Sequence, residues 1–285
     1  MPIEVKDLSY TYMPGTPFES RALKNICLTI RDGEFIGVIG HTGSGKSTLI
    51  THLNGLLRPE PGAVFVNGVH LGAKETKLTE VRRTVGLVFQ YPEYQLFEET
   101  VAKDIAFGPK NLGLSEAEIE KRVREAAEKV GLAGEYLEKS PFELSGGQKR
   151  RVAIAGVLAM QPQILVLDEP AAGLDPAGRE EMLRLMQAIH ADGTTVVMVS
   201  HSMDDVGRLC DRLIVLSRGE IAFDAPPAEV FTHAAELEAI GLSVPECARL
   251  AARLRAAGFE IPETAYRMDE VEACILRTLK GGAAC

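Results

Sequence analysis

The sequence predicts an α/β fold with a mostly parallel central sheet, and three observations carry that prediction. Short runs rich in Val, Ile and Leu alternate with segments of helical periodicity, the order that places helices over a parallel sheet. Several of these runs are almost continuously apolar, as strands buried on both faces are. One run also leads through a glycine-rich turn directly into a helical pattern. The predicted strands are residues 27–30, 35–39, 63–66, 85–89, 164–167, 195–199 and 213–216.

Further regions complete the predicted architecture. Alternating strand patterns in the first 66 residues and the turn sequence Asn67-Gly68 predict an antiparallel sub-sheet beside the parallel core. Residues 115–130 have a helical pattern that begins with Ser115 and Glu118 at capping-box spacing.

The sequence after Arg218-Gly219 becomes rich in alanine, with helical patterns at 245–257 and 268–279. We therefore expect a main domain over residues 1–224 and a small helical appendage over 225–285. The appendage either covers an apolar edge of the main domain or serves as a dimer contact or regulatory piece.

Composition and charge exclude several classes of protein. The 285 residues are 46% hydrophobic and 25% charged, which is ordinary for a globular chain and unlike a disordered or fibrous one. The net charge of −9 gives no sign of a nucleic-acid surface, which would be basic. The longest uncharged stretch, 152–167, has 16 residues, whereas a membrane helix needs about 20. The start lacks a secretory signal, so we expect a cytosolic protein.

The five cysteines, Cys285 among them, are an odd number without a C-x-x-C pair, and we expect reduced thiols.

Residues 40–47, GHTGSGKS, form a phosphate-loop signature between the apolar run FIGVI and a helical pattern. A strand, a glycine turn and a helix bring backbone N–H groups and a helix N-terminus to one anion. We expect Lys46 to bridge the β- and γ-phosphates and the Ser47 hydroxyl to bind Mg²⁺. The loop therefore predicts a nucleoside triphosphate site rather than a merely tight turn. The residues expected to bind the nucleotide are Gly40, His41, Thr42, Gly43, Ser44, Gly45, Lys46, Ser47 and Thr48.

Two carboxylates, Asp168 and Glu169, follow the apolar run ILVL. A carboxylate at the C-terminal end of a parallel strand projects toward the crevice that holds the phosphates, so we expect Asp168 in the Mg²⁺ shell. Glu169 can accept a proton from an attacking water, and a solvated charge at the strand end is its alternative interpretation.

A second anion-binding turn, LSGGQ at residues 144–148, opens another helical pattern, with Ser145 standing 23 residues before Asp168. A Ser-Gly-Gly turn at a helix start offers a hydroxyl, bare amides and the positive end of a helix dipole. Nucleotide kinases and GTPases share the first loop and the strand-end carboxylate, so LSGGQ is the motif that separates this chain from them.

On these motifs the chain resembles the ATP-binding cassette (ABC) ATPases over about residues 1–224. The resemblance rests on GHTGSGKS, Gln90, LSGGQ, ILVLDEP, the AGLD that ends at Asp175 and the VSH that ends at His201, in the family's order. It implies a head-to-tail dimer with two ATP molecules between the chains.

The roles that the resemblance implies extend the candidate site. Gln90 would sense Mg²⁺ and the attacking water, and His201 would contact the γ-phosphate. Tyr12 would stack on adenine, or else is an ordinary half-buried strand aromatic. Across the dimer interface, one chain would contact the nucleotide on its partner through Ser145, Gly146, Gly147, Gln148 and Asp175.

The stretch after Gln90, YPEYQLFEETVAKDIAFGP, is similar to that of energy-coupling factor (ECF) transporter ATPases. That resemblance implies a peripheral motor on the cytoplasmic face of the cell membrane that drives import of vitamins or transition-metal ions. Its partners would be a second ATPase subunit, a transmembrane scaffold (T) subunit and a substrate-binding membrane (S) subunit. We hypothesise that this groove receives a scaffold helix whose arginines pair with Glu93, Glu98 and Glu99; a solvated charged turn is the alternative.

Other functions stay open at this point. The chain could serve another ABC importer, for amino acids or cobalt, or be a soluble P-loop ATPase or kinase. A nucleic-acid ATPase could use Lys149, Arg150 and Arg151, which we interpret instead as the solvated face of a helix. A motor subunit does not touch the transported solute, so its sequence does not identify that solute. Both a homodimer and a heterodimer stay open.

Overall fold

Two β-sheets and a layer of helices build the protein in a computed structural model that describes residues 3–132 and 134–281. Cys285 and the last residues of the expected appendage lie outside the described residues. The strands are β1 (Ile3–Tyr12), β2 (Ser20–Ile30), β3 (Phe35–Gly40), β4 (Val64–Val66), β5 (Val69–His70), β6 (Val85–Val88), β7 (Ile164–Asp168), β8 (Thr195–Val199), β9 (Arg212–Ser217) and β10 (Glu220–Ala225).

Helices fill the intervals between strands and form the C-terminal region. They are α1 (Lys46–Leu53), α2 (Leu78–Thr84), α3 (Val101–Asn111), α4 (Glu116–Lys129), α5 (Gly146–Leu158), α6 (Pro176–Ala191), α7 (Met203–Leu209), α8 (Pro227–Val230), α9 (Ala234–Ala239), α10 (Glu246–Ala256) and α11 (Met268–Gly281). The helix expected at 115–130 is α4, and the Ser115 side chain caps it by accepting from the Glu118 N–H. A short 3₁₀ turn, Pro92–Gln95, follows the strand β6.

The larger sheet has six strands in the order β10-β9-β3-β8-β7-β6, of which only β10 runs antiparallel to its neighbour within the described chain. The smaller sheet is antiparallel, in the order β2-β1-β4-β5. The predicted parallel core and antiparallel sub-sheet are both confirmed. Residues 27–30 and 63–66 belong to the antiparallel sheet, because Ile30 and Val66 both pair with Ile3.

Both faces of the six-stranded sheet are buried. On β7, Ile164 and Val166 lie in a cluster with α1 and the antiparallel sheet, whereas Leu165 and Leu167 lie in a cluster with the helical layer; none of the four is exposed. Alternation along one strand therefore supplies two cores, which explains why these runs are continuously apolar.

Two glycine loops of the larger sheet lie close to one carbonyl of β2. A Cβ on Gly45 would lie 2.6 Å from the Ala22 oxygen, and a Cβ on Gly219 would lie 2.8 Å from the same atom. Both glycines also have positive φ, 107° and 84°. Only glycine fits these two positions without moving β2.

The C-terminal region divides by its packing. Val230 and Leu237 of α8 and α9 are buried in the core of the main helical layer. Helices α10 and α11 enclose a separate small cluster around Ala251 and Val271. The domain boundary at 224/225 stays a prediction.

Two properties of the described chain bear on where it works. No described helix is long and apolar enough to span a bilayer. Cysteines 27, 210, 247 and 274 are free thiols.

Candidate functional site

The loop between β3 and α1 provides unused backbone donors. Helix α1 begins after Gly45, which has φ 107° and no side-chain cap. The first backbone hydrogen bond of the helix runs from the Leu49 N–H to the Gly45 carbonyl, 2.8 Å. The N–H groups of residues 46–48 therefore precede the helical ladder and can donate to an anion at the positive end of the helix dipole.

The Lys46 ammonium lies across the same loop. Its Nζ donates to the Gly40 carbonyl at 2.7 Å and to the His41 carbonyl at 3.0 Å. Burial lowers the pKa of Lys46, and the charges of Glu169 and Asp168 oppose that change. A cation held by two carbonyls of a phosphate loop is poised to exchange them for phosphate oxygens.

Ser47 and Asp168 bring two oxygen donors together from α1 and β7. The Ser47 hydroxyl donates to Asp168 Oδ2 at 3.3 Å. Burial raises the pKa of Asp168, while the Ser47 hydrogen bond and the Lys46 charge lower it. Hydroxyl and carboxylate oxygens are the ligands that Mg²⁺ prefers, so this pair fits the expected metal.

Glu169 and His201 form a pair that sequence reasoning did not foresee. Glu169 Oε2 lies 2.7 Å from His201 Nδ1, with 14% of the glutamate side chain and 76% of the histidine side chain exposed. Burial raises the pKa of Glu169, partly offset by the hydrogen bond and charge of His201. Glu169 has φ 51°, and its N–H donates to the Val199 carbonyl at 3.0 Å. This hydrogen bond holds the Glu169 backbone at the C-terminal end of β7, beside the end of β8.

One cavity of about 610 Å³ collects these groups. Gln90 also lines this cavity, and its contact with Mg²⁺ and the attacking water stays a prediction. Residues 241–243, between α9 and α10, line it as well, and no motif in that segment could have revealed them. The described lining comprises Gly40, His41, Thr42, Gly43, Lys46, Ser47, Gln90, Asp168, Glu169, His201, Met203, Gly241, Leu242 and Ser243.

Tyr12 lies beside the start of α1. Its hydroxyl is 3.2 Å from Thr48 Oγ1, and its ring packs edge-on against Tyr10 with centroids 4.9 Å apart. The residue is 40% exposed. Stacking on adenine stays a prediction for this residue.

The Ser145 turn lies on a different cavity of about 680 Å³, which Ser145, Gly147 and Gln148 help to line. It forms a complete capping box: Ser145 Oγ accepts from the Gln148 N–H, and Gln148 Oε1 accepts from the Ser145 N–H. Within one chain the two anion-binding turns therefore open into separate cavities. Asp175 likewise caps a helix, α6, by accepting from the Gly178 N–H at 2.7 Å.

The interpretation of Arg150 as a solvated charge is wrong. Only 3% of its side chain is exposed, and it forms an ion pair with Glu93. Helix α5 packs with this face toward the segment after Gln90, so Arg150 points inward. Glu93 is consequently held in a buried ion pair and does not stand ready for a partner's arginine. Glu99 is also paired, with Lys103, but 82% of its side chain is exposed, so a partner's arginine can replace that lysine.

An apolar groove of about 770 Å³ is lined in part by the segment that follows Gln90 in sequence, through Gln95, Leu96 and Phe97. Phe97 and Phe107 form its exposed rim, with ring centroids 5.0 Å apart in a T-shaped pair. Asp104 holds that rim by accepting from the Phe97 and Glu98 N–H groups at 3.4 and 3.1 Å. Burial raises the pKa of Asp104, and these hydrogen bonds oppose the change.

Comparisons with known proteins agree with this geometry. The sequence pattern of the ABC transporter family matches residues 23–172. The chain is 56% identical over 282 residues to the energy-coupling factor transporter ATP-binding protein EcfA2 of Caldanaerobacter subterraneus subsp. tengcongensis, covering 99% of both chains. It is 55% identical over 282 residues to the protein of that name from Clostridium perfringens, covering 98% of this chain and 99% of the relative.

Solved structures of similar fold include cbiO1 from Clostridium perfringens, described as part of the ABC transporter complex cbiONQ. It has a TM-score of 0.73 and 36% identity, covering 89% of this chain and 98% of cbiO1. The dimeric ATP-binding cassette MJ0796 in a post-hydrolysis state bound to ADP and Pi has a TM-score of 0.70 and 32% identity. It matches 79% of this chain and 98% of its own.

Proposed function

The chain belongs to the ABC transporter family, and from that premise we propose that it is the ATP-hydrolysing motor subunit of an energy-coupling factor importer. One observation carries the hydrolytic function: Lys46, the Ser47–Asp168 pair and the Glu169–His201 pair converge on one cavity. Identity over nearly the whole chain to relatives named as energy-coupling factor ATP-binding proteins supports the transporter assignment.

The phosphate loop binds the β- and γ-phosphates of ATP. The N–H groups of residues 46–48 donate to phosphate oxygens, and Lys46 exchanges its Gly40 and His41 carbonyl partners for them. Tyr12, next to Thr48, is placed to stack on the adenine. These contacts position the terminal phosphoryl group at the carboxylates.

The residues that would hold Mg²⁺ are Ser47, Asp168 and Gln90. When bound, the ion supplies neutralising charge at the phosphate oxygens. The Ser47–Asp168 contact supports this role because both side chains bring hard oxygen ligands to the same place.

Glu169 serves as the general base for the attacking water. Its raised pKa, which results from burial, moves a carboxylate toward the pH at which a base is most effective. The pair with His201 Nδ1 orients the carboxylate and leaves His201 Nε2 for the γ-phosphate. Hydrolysis then depends on two neighbouring strand ends, those of β7 and β8.

A second ATPase subunit completes the site. Because the Ser145 turn lies on a separate cavity, it reaches a γ-phosphate only on a facing chain. ATP then holds two chains together, and its cleavage removes the contacts that keep the pair closed. Asp175, beside this turn in the helical layer, connects the two sites across the interface.

ATP-dependent association of Glu169→Gln tests this function. The variant, alone or with its companion ATPase, is expected to be monomeric without ATP and paired with it, as measured by light scattering. Glu169→Gln/Ser145→Ala is the matched control, with intact ATP binding and weakened pairing. A kinase-like protein would keep the same mass with and without ATP, and that result would reject the cassette mechanism.

The groove after Gln90 docks a helix of the transmembrane scaffold. Its apolar floor and its rim of Phe97 and Phe107 suit an amphipathic helix. Glu98 and Glu99 do not line the groove, but they directly follow Phe97 of its rim and offer charge to arginines beside the docked helix. Pull-down of the scaffold by Glu98→Lys/Glu99→Lys is expected to fail. Glu120→Lys is the control, because Glu120 is also exposed and paired four residues along its helix. Equal recovery by both variants would contradict the groove assignment.

Assembly with the scaffold and a substrate-binding subunit places the chain at the cytoplasmic face of the membrane. Vitamins or transition-metal ions are the proposed cargo. An ABC importer of another class, for amino acids or cobalt, is the second candidate within the family; it differs in its receptor, since cobalt is itself a transition metal. Subunits that copurify from detergent-solubilised membranes distinguish the two, since a receptor outside the membrane would indicate the other importer class.

A further inference from the structure

One arginine of α5 contacts two distant segments of the chain at once. Arg150 Nε and Nη2 donate to the two oxygens of Glu93, at 3.0 and 2.8 Å. Its Nη1 donates to the Pro170 carbonyl at 3.1 Å and to the Ala172 carbonyl at 2.7 Å. All three nitrogens of the guanidinium are therefore used, and the group is buried.

One of the two segments belongs to the proposed docking groove, and the other adjoins the proposed catalytic base. Glu93 lies in the 3₁₀ turn Pro92–Gln95, whose last residue, Gln95, lines the groove. Pro170 directly follows Glu169, the proposed base. Arg150 itself stands five residues after Ser145, on the helix that carries the second anion-binding turn.

Burial makes this connection stiff. Burial by itself would raise the pKa of Glu93, but the hydrogen bonds and charge of Arg150 outweigh it and lower that pKa. A displacement of either segment would leave a buried charge without its partner, which is costly. A bidentate carboxylate contact also fixes direction as well as distance. The groove turn and the segment after Glu169 should therefore move together.

We propose that Arg150 is a positioning residue that transmits the docking of the scaffold helix in the groove to the backbone that carries Glu169, and so sets the rate of hydrolysis in the complex. The proposal rests on the proposed function, because it takes the groove as the scaffold's docking site. Asp104 has a different role, since its hydrogen bonds hold only the groove rim.

The test compares kcat and KM for ATP in the presence of the companion ATPase, with and without assembly on the scaffold in lipid vesicles. For wild type, assembly is expected to change kcat. Arg150→Met keeps an apolar stem and loses all donors. For this variant the ratio of assembled to free kcat is expected to be about one, because assembly no longer alters hydrolysis. KM for ATP should stay within about twofold, because Arg150 does not line the phosphate-loop cavity.

Two further variants separate coupling from folding. Glu93→Gln/Arg150→Met removes both buried charges, so its thermal midpoint should recover toward wild type while the kcat ratio stays near one. Arg122→Met breaks an ion pair that lies within α4 alone, between Arg122, 10% exposed, and the more exposed Glu118, at 2.6 Å. It should lose stability and keep the wild-type ratio.

The outcomes test the role of Arg150 and the proposed function separately. A wild-type ratio retained by Arg150→Met, or restored in the double variant together with its stability, overturns the role of Arg150 and leaves the transporter function intact. A wild-type protein that neither binds the scaffold nor responds to it contradicts the proposed function itself, and the inference falls with it.

Discussion

The two helix starts that carry the anion-binding turns are built in opposite ways. Helix α1 begins without a side-chain cap after Gly45, and its first N–H groups precede the helical hydrogen bonds. Helix α5 begins with a complete capping box, in which Ser145 and Gln148 satisfy each other's N–H groups. The first start needs an external anion to use its donors. The second satisfies the Ser145 and Gln148 N–H groups within a single chain and leaves those of Gly146 and Gly147 for a ligand.

This difference separates binding from closure. The α1 start shares one cavity with Lys46, Asp168 and Glu169 of its own chain, so the groups proposed to bind the phosphates and Mg²⁺ all belong to one chain. The α5 start has hydrogen bonds that keep it ordered before any partner arrives. Substitutions at the two starts should therefore affect different measurements.

The largest expected effect belongs to the chemistry beside α1. Glu169→Gln removes the base and is expected to lower turnover by about 10²- to 10⁴-fold, the usual range for a lost proton acceptor. ATP binding should survive, because the phosphate loop is unchanged. Steady-state hydrolysis and nucleotide titration measure the two quantities. Unchanged turnover would remove Glu169 from this role.

Lys46→Met should weaken ATP binding by about 10- to 100-fold, the scale of one or two charge-assisted hydrogen bonds. The free protein should not lose stability to the same degree, because burial already disfavours the charged ammonium. Nucleotide titration and urea unfolding of the same samples give both values. Wild-type affinity in the variant would show that Lys46 stays on its loop carbonyls.

Ser145→Ala should show the reverse pattern. Loss of the cap is expected to cost about 1 kcal/mol of unfolding free energy. ATP binding should be unchanged, and ATP-dependent pairing should weaken. Ser115→Ala is the matched control, since Ser115 caps α4 through the same contact to the third residue. It should lose similar stability and pair normally; equal pairing defects in the two variants would argue against a specific role for Ser145.

The smallest effect is a pH dependence of opposite sign at two glutamates. Burial raises the pKa of Glu169, so the stability that Glu169 contributes relative to Glu169→Gln is present below the ordinary value of 4.5 and is lost as pH rises through the raised pKa. The Arg122 hydrogen bond lowers the pKa of Glu118, so its contribution relative to Glu118→Gln is present above 4.5 and is lost as pH falls. Urea unfolding of the nucleotide-free proteins between pH 3 and 8 should give trends of opposite slope. Parallel trends would contradict the burial of Glu169.

Local patterns predicted one half of the site better than the other. The phosphate loop and the Asp168-Glu169 strand end could be predicted because a strand, a turn and a helix adjoin in sequence. The environment of Arg150 could not, because its partners stand 57 and about 20 residues away and its helix pattern alone does not show which face is buried. The Glu169–His201 pair required the neighbouring order of β7 and β8, which only the sheet topology provides.

Gly45 and Gly219 both lie close to the Ala22 carbonyl, and this has a consequence for mutational scans of the protein. A side chain at either glycine would displace β2, so a library should reject substitutions at both equally strongly. Intolerance at position 219 would then resemble that of an active-site residue, although its cause is a clash between a Cβ atom and the Ala22 carbonyl oxygen. Surveys that rank residues by depletion should assay soluble yield at both positions before inferring a catalytic role for either.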